Sequence, residues 1–193
     1  LFVLAYSSYL FSYSQLFLAL PLTIRHLGGE SQYIGLLFAF SVLISLLIQI
    51  GLRNFTSKKE SQALVMGFAT LSLAFLYMAF IAIRHQTTGW HGYLPLLMFV
   101  FFINCGQFLI VPAAKRIVTY FAAGNDTAPY YQALALSGGI AVLVGSPIVG
   151  ELMELTRHSL TLAGLPWFFM ALFPALSAIA IGLIFPTTPA RAY

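Results

Sequence analysis

Hydrophobic positions fall into six long blocks, residues 2–24, 33–52, 62–83, 93–114, 129–151 and 165–185, with short polar segments between them. Each block is long enough to span a bilayer, because about 20 apolar residues in helical form cross roughly 30 Å of hydrocarbon. The pattern predicts an all-α integral membrane protein with six transmembrane helices. Charge follows the blocks closely. Arg25, His26 and Glu30 follow the first, and Arg53, Lys58, Lys59 and Glu60 the second. Arg84, His85 and His91 follow the third; Lys115, Arg116 and Asp126 the fourth; Glu151, Glu154, Arg157 and His158 the fifth.

Composition agrees with the pattern. The 193 residues are 60% hydrophobic and 7% charged, against about 25% charged in a soluble domain. Mean hydropathy is +0.91. An excess of Lys and Arg in short loops marks the cytoplasmic side. If both termini are cytoplasmic, that side holds Arg53, Lys58, Lys59, Lys115, Arg116 and Arg191, and the opposite side holds Arg25, Arg84 and Arg157. Six against three favours that orientation, with the cations as anchors. The net charge of +4 belongs to this anchoring, and no basic run is long enough to suggest nucleic acid. The apolar start at Leu1 lacks a basic segment and a cleavage site, so it reads as a beginning inside a longer protein, not as a signal peptide. Cys105 is the sole cysteine and can form no intrachain disulfide.

Six blocks divide into two triplets, and three is odd, so the second triplet enters the membrane from the opposite side. A 3+3 inverted repeat of that kind builds many secondary transporters.

Polar groups inside the blocks are the candidate chemistry. Tyr6, Tyr9, Tyr13, Phe17 and Leu20 share an arc of about 80° on the first helix, and Ser8, Ser12 and Gln15 form a neighbouring stripe. Rings beside hydroxyl and amide groups suit an amphipathic or cationic ligand; helix packing is the other reading. Asn104, Gln107, Val111 and Lys115 share one face of the fourth helix. Two amides in hydrocarbon need partners, from a cavity or a neighbouring helix. Ser41, Ser45 and Gln49 recur every four residues on the second helix and read as interhelical hydrogen-bonding groups. Ser137, Ala141 and Gly145, with Gly138 and Gly139 beside them, make a small-residue face on the fifth helix, and Pro147 kinks it. That face, continued by Gly150, reads as a packing or gating surface. Tyr130, Tyr131 and Gln132 open the same helix near the cytoplasm.

Several classes are disfavoured by what the blocks lack. An intramembrane protease needs a nucleophile and base at membrane depth; Ser137 has no such base, since His26, His85, His91 and His158 all lie between blocks. No His, Cys and carboxylate cluster suggests a metal, and no cofactor motif is present. Neither an Arg-rich helix nor a filter loop of the potassium-channel kind occurs. A non-transporting assembly subunit stays open.

Particular stretches resemble the C-terminal six-helix half of a major facilitator superfamily transporter, and within it bacterial drug:proton antiporters. They are Tyr13-Ser14-Gln15 with Leu20-Pro21-Leu22, Tyr33-Ile34-Gly35-Leu36-Leu37 with Gln49-Ile50-Gly51, Asn104-Cys105-Gly106 with Pro112-Ala113-Ala114, and Ser137-Gly138-Gly139 with Gly145-Ser146-Pro147-Ile148-Val149-Gly150. Phe55 and Thr56 stand where the family's signature loop has Asp-Arg, and Ser146 precedes Pro147 where the antiporter motif has glycine. Such degenerate copies are usual in the C-terminal half. The resemblance implies one half of a twelve-helix carrier working by alternating access, partnered by an N-terminal six-helix half. It implies efflux of hydrophobic or cationic small molecules coupled to protons, across a bacterial inner membrane. Substrate contacts would fall on Tyr9, Tyr13, Gln15, Asn104 and Gln107. With no Asp or Glu in mid-span, the coupling carboxylate is expected in the other half. Uptake, or symport of a narrow substrate, is the rival within the same family.

Overall fold

A computed structural model describes residues 2–26, 31–51, 60–84, 93–156, 159 and 162–184. These form seven helices in sequence: α1 (Phe2–Ser14), α2 (Ala19–His26), α3 (Ser31–Gly51), α4 (Glu60–Arg84), α5 (Tyr93–Ala122), α6 (Ala128–Thr156) and α7 (Leu165–Ile184). Among the described residues six segments are long and apolar enough to cross a membrane, α1 and α2 together counting as one. Arg53, Lys58 and Lys59 of the expected cytoplasmic anchor lie outside the described residues.

The first span is broken, which hydropathy did not predict, and its side chains explain why. In a continuous helix the Phe11 carbonyl would accept the N–H of Gln15. Instead it receives Ser14 Oγ at 2.6 Å and Gln15 Nε2 at 3.2 Å, while the Gln15 N–H turns to Ser12 O at 3.3 Å. Short polar side chains that reach their own backbone compete with helical bonding in this way. The chain then tightens, with Leu16 N on Tyr13 O and Phe17 N on Ser14 O, and recovers when Ala19 N and Leu20 N both reach Gln15 O. Pro21 adds a second cause, having no N–H for the Phe17 carbonyl.

The fourth and fifth spans are longer than expected. α5 continues eight residues past Ala114 to Ala122, because Lys115 and Arg116 end the apolar run without ending the helix. Ile117, Val118 and Ala122 stay buried. Ala123 and Gly124 then adopt positive φ, 47° and 86°, and the Ala128 N–H donates to Asp126 Oδ1 at 2.9 Å, capping the start of α6.

α4 and α5 form the centre, each half buried, while α3 and α6 bury only 11% and 17% of their apolar windows. α4 crosses α5 where two glycines meet: a Cβ on Gly67 would lie 3.0 Å from Gly106 O, and one on Gly106 would lie 3.0 Å from Gly67 O. Small residues bring helix backbones together in this manner, and dispersion over the close contact stabilises the crossing. On its other side α4 packs on α7, where Ser72 Oγ donates to Ala171 O at 3.1 Å and Trp167 lies 6.5 Å from the Phe75 ring. α6 closes on α1. A Cβ on Gly138 would collide with Leu10 and one on Gly145 with Phe11, whereas Gly139 and Gly150 face open space. The expected small-residue surface is therefore a packing face at Gly138 and Gly145 and not at Gly139 or Gly150. Ser137 Oγ satisfies itself on Leu134 O, and Pro147 lies within an uninterrupted α6.

Candidate functional site

α3 and α5 run in parallel. Tyr33 and Tyr93, near their starts, stack at 4.7 Å, and further along both helices Ser41 and Ser45 meet Asn104. That meeting is a closed polar network. Asn104 Nδ2 donates to Ser41 Oγ at 2.9 Å and to Val100 O at 2.8 Å, and Oδ1 accepts from Ser45 Oγ at 2.6 Å. Both donors of the amide are used, as hydrocarbon surroundings demand. The spacing of Ser41 and Ser45 thus did point to interhelical bonding, and Asn104 is their partner.

Beyond this network α3 and α5 part to leave a cavity of about 340 Å³, within the range of small-molecule sites. Ser45, Gln49, Asn104, Gln107 and Lys115 supply its polar lining, and Phe108, Val111 and Pro112 its apolar wall. Pro112 has no N–H to give the Phe108 carbonyl, and both residues border the opening. The face of α5 read from periodicity, Asn104 through Lys115, is the face that borders this cavity.

The other candidates are placed differently. Tyr9 is buried, at 4% exposure, and its phenol lies beside the Gln107 side chain of the cavity wall. Tyr13 is half-buried in a ladder of rings from Tyr6 through Tyr9 and Tyr13 to Phe17 and Phe38, with successive centroids 5.2 to 6.1 Å apart. Gln15 is fully buried and bonded to its own helix, on the wall of neither cavity described here. Ser12 Oγ and Gln15 Oε1 are buried without a hydrogen-bond partner among the described residues. Both sit at the break.

At the end where α5 passes out of the apolar zone, Arg116 Nη1 lies 3.6 Å from Glu60 Oε1 at the start of α4, both side chains over 40% exposed. A pair this exposed contributes little to stability, though it ties α4 to α5. Lys115 is exposed next to it and contributes to the cavity lining, a role beyond anchoring.

A second cavity, about 510 Å³, opens between α1, α6 and α7. Leu4, Phe11, Ile140, Val144, Phe173 and Leu176 make it apolar, and its polar lining is Ser7 together with Ser8 and Ser177, the last two with hydroxyls 2.7 Å apart. Sequence reading had no view of this space, because its walls are ordinary apolar residues from three distant helices. It also passed over Gly67, an isolated glycine whose partner Gly106 lies 39 positions along the chain.

Among the described residues no group of three or more His, Cys, Asp or Glu side chains could hold a metal ion. The chain matches no known protein family, no curated protein and no solved structure.

Proposed function

We propose that this chain is a six-helix bundle of a secondary active transporter, working by alternating access against a second bundle. The observation that carries the reading is the cavity between α3 and α5, where hydroxyl, amide and ammonium groups gather in a predominantly apolar bundle. Polar groups at membrane depth are costly and mark substrate paths. A purely structural subunit would have packed that face shut.

Two further features support the carrier architecture. Helix contacts pair as an inverted repeat would pair them: first span with fifth as fourth with second, and third with fourth as sixth with first. α3 and α6, equivalent under that repeat, are the least buried spans and leave apolar faces for a partner half or lipid. Gly138 and Gly145 of α6, seated on α1, form a close-packed joint suited to rigid-body rocking. Charge placement supports a multi-pass arrangement with both ends cytoplasmic, in a bacterial inner membrane by resemblance.

Within this reading, proton-coupled efflux of hydrophobic cations is the form the resemblance favours, and a narrow-substrate carrier is the form the lining favours. Dye efflux from everted vesicles holding the full-length protein, with and without a protonophore, separates them. Efflux that collapses with the proton gradient establishes the antiporter. Absence of efflux across a broad cationic panel removes the multidrug form, and absence of any gradient-driven flux in reconstituted vesicles removes transport itself.

A further inference from the structure

The cavity between α3 and α5 carries a sign. Four of its five polar lining residues, Ser45, Gln49, Asn104 and Gln107, are uncharged, and the fifth is Lys115. Among the described residues no carboxylate lines it. At the same end of the bundle Glu60 is engaged by Arg116, and among the described residues none is paired with the Lys115 ammonium.

The uncharged groups do not offset that charge. Asn104 has given both donors to Ser41 and Val100. Gln49, Gln107 and Lys115 keep N–H groups to offer a guest. Asn104 and Lys115 are eleven residues apart on one helix, which separates them by about 16 Å along its axis. Phe108, Val111 and Pro112 fill the interval. The lining therefore grades from a closed polar network, along an apolar wall, to an ammonium at the mouth. A cationic guest would meet that ammonium with nothing to balance either charge, at a cost that rises as water is excluded. An anion brings the missing counter-charge.

We propose that this cavity takes small organic anions, carboxylates or sulfonates with an apolar body, the acid group held by Lys115 and Gln49 and the body lying along Phe108, Val111 and Pro112. As a statement about cargo this rests on the transport reading; as a statement about binding it does not. It reverses the charge of cargo that the resemblance implies.

The test uses the full-length protein in detergent and four probes on one ring system: a naphthoate, naphthalenesulfonate, naphthamide and naphthylmethylamine. The two acids should bind about fivefold more tightly than the amide, near the upper limit for one exposed charge pair, and the amine more weakly still. Lys115→Gln should bring the acids down to the level of the amide, and Lys115→Arg should keep their advantage. Raising salt from about 0.05 to about 0.5 M should weaken the acids and spare the amide, because screening acts on the exposed pair. Preference for the amine, equal binding of all four, binding of none, or acid binding indifferent to Lys115→Gln each overturns the proposal. Flux assays on the same probes keep the two readings apart. Acids that bind and are never carried sink the carrier and leave the site. Amines carried in preference to acids sink the site and leave the carrier.

Discussion

The first span and α5 each contain a proline inside an apolar run, and only one of them breaks. In α5 the four residues before Pro112 are Phe108, Leu109, Ile110 and Val111, none able to hydrogen-bond through its side chain. α4 clamps one side of this helix at Gly67 and Gly106, and α3 holds the other through Asn104. In the first span Ser14 and Gln15 both seize the Phe11 carbonyl several residues before Pro21 removes a further N–H. Proline therefore does not decide the outcome alone. A missing N–H is absorbed where neighbouring helices fix the backbone, and it becomes a break where local side chains already draw bonds away.

The contrast can be broken most forcefully at the clamp. Gly106→Val pushes against Leu71 and the α4 backbone, which cannot yield as a flexible side chain could, and should cost about 3 kcal/mol in reversible unfolding from mixed micelles. Unchanged stability would mean that the glycine crossing does not hold α5. On the opposite side, Asn104→Leu leaves Ser41 and Ser45 without their partner; a loss of about 1 kcal/mol is expected in the same assay. A gain would place Asn104 among groups kept for binding at the expense of stability.

Pro21→Ala tests the broken span. An alanine N–H can reach the Phe17 carbonyl, so amide exchange around residues 17 to 21 should slow and stability should rise by about 1 kcal/mol. The tightened turn at Leu16 and Phe17 should survive, since Ser14 and Gln15 cause it. Disappearance of that turn in Pro21→Ala would assign the whole break to proline. Smallest is Tyr9→Phe, which removes the phenol from Gln107 and should cost about 0.5 kcal/mol while changing probe affinity at the α3–α5 cavity less than Lys115→Gln does.

How much of this could be read from the chain depends on which physical quantity each feature obeys. Hydropathy located all six segments long and apolar enough to cross a membrane, because that property is one of length and polarity. It misplaced the end of α5 at Ala114, because it registers where hydrocarbon stops and is blind to backbone bonding, which carries the helix on to Ala122. The same blindness hid the break, since Leu-Pro-Leu at residues 20–22 is as apolar as its surroundings. Periodicity found the face from Asn104 to Lys115 because one helix suffices to define a face. It could not tell which side chains would be consumed by contacts, and so it set Gln15 beside Asn104 as an equal candidate. Gln15 bends back to a carbonyl four residues away, and only the backbone path makes that bond available. Cavities are properties of several helices at once, and the apolar space between α1, α6 and α7 left no mark in any single stretch.

Asn104 sits between two hydroxyls four residues apart, and the next group at that interval along α3 is Gln49. Ser41, Ser45 and Gln49 are thus three rungs, of which the amide occupies the first two. Shifted along α3 by one turn, about 5.4 Å, the same amide would face Ser45 and Gln49, again with a partner on either side. Half a turn would leave it against apolar side chains, with only the bond to its own Val100 carbonyl kept. The polar contact therefore resists rotation and partial slippage while allowing a whole step, so relative movement of these two helices would proceed as a click between settings and not as a glide.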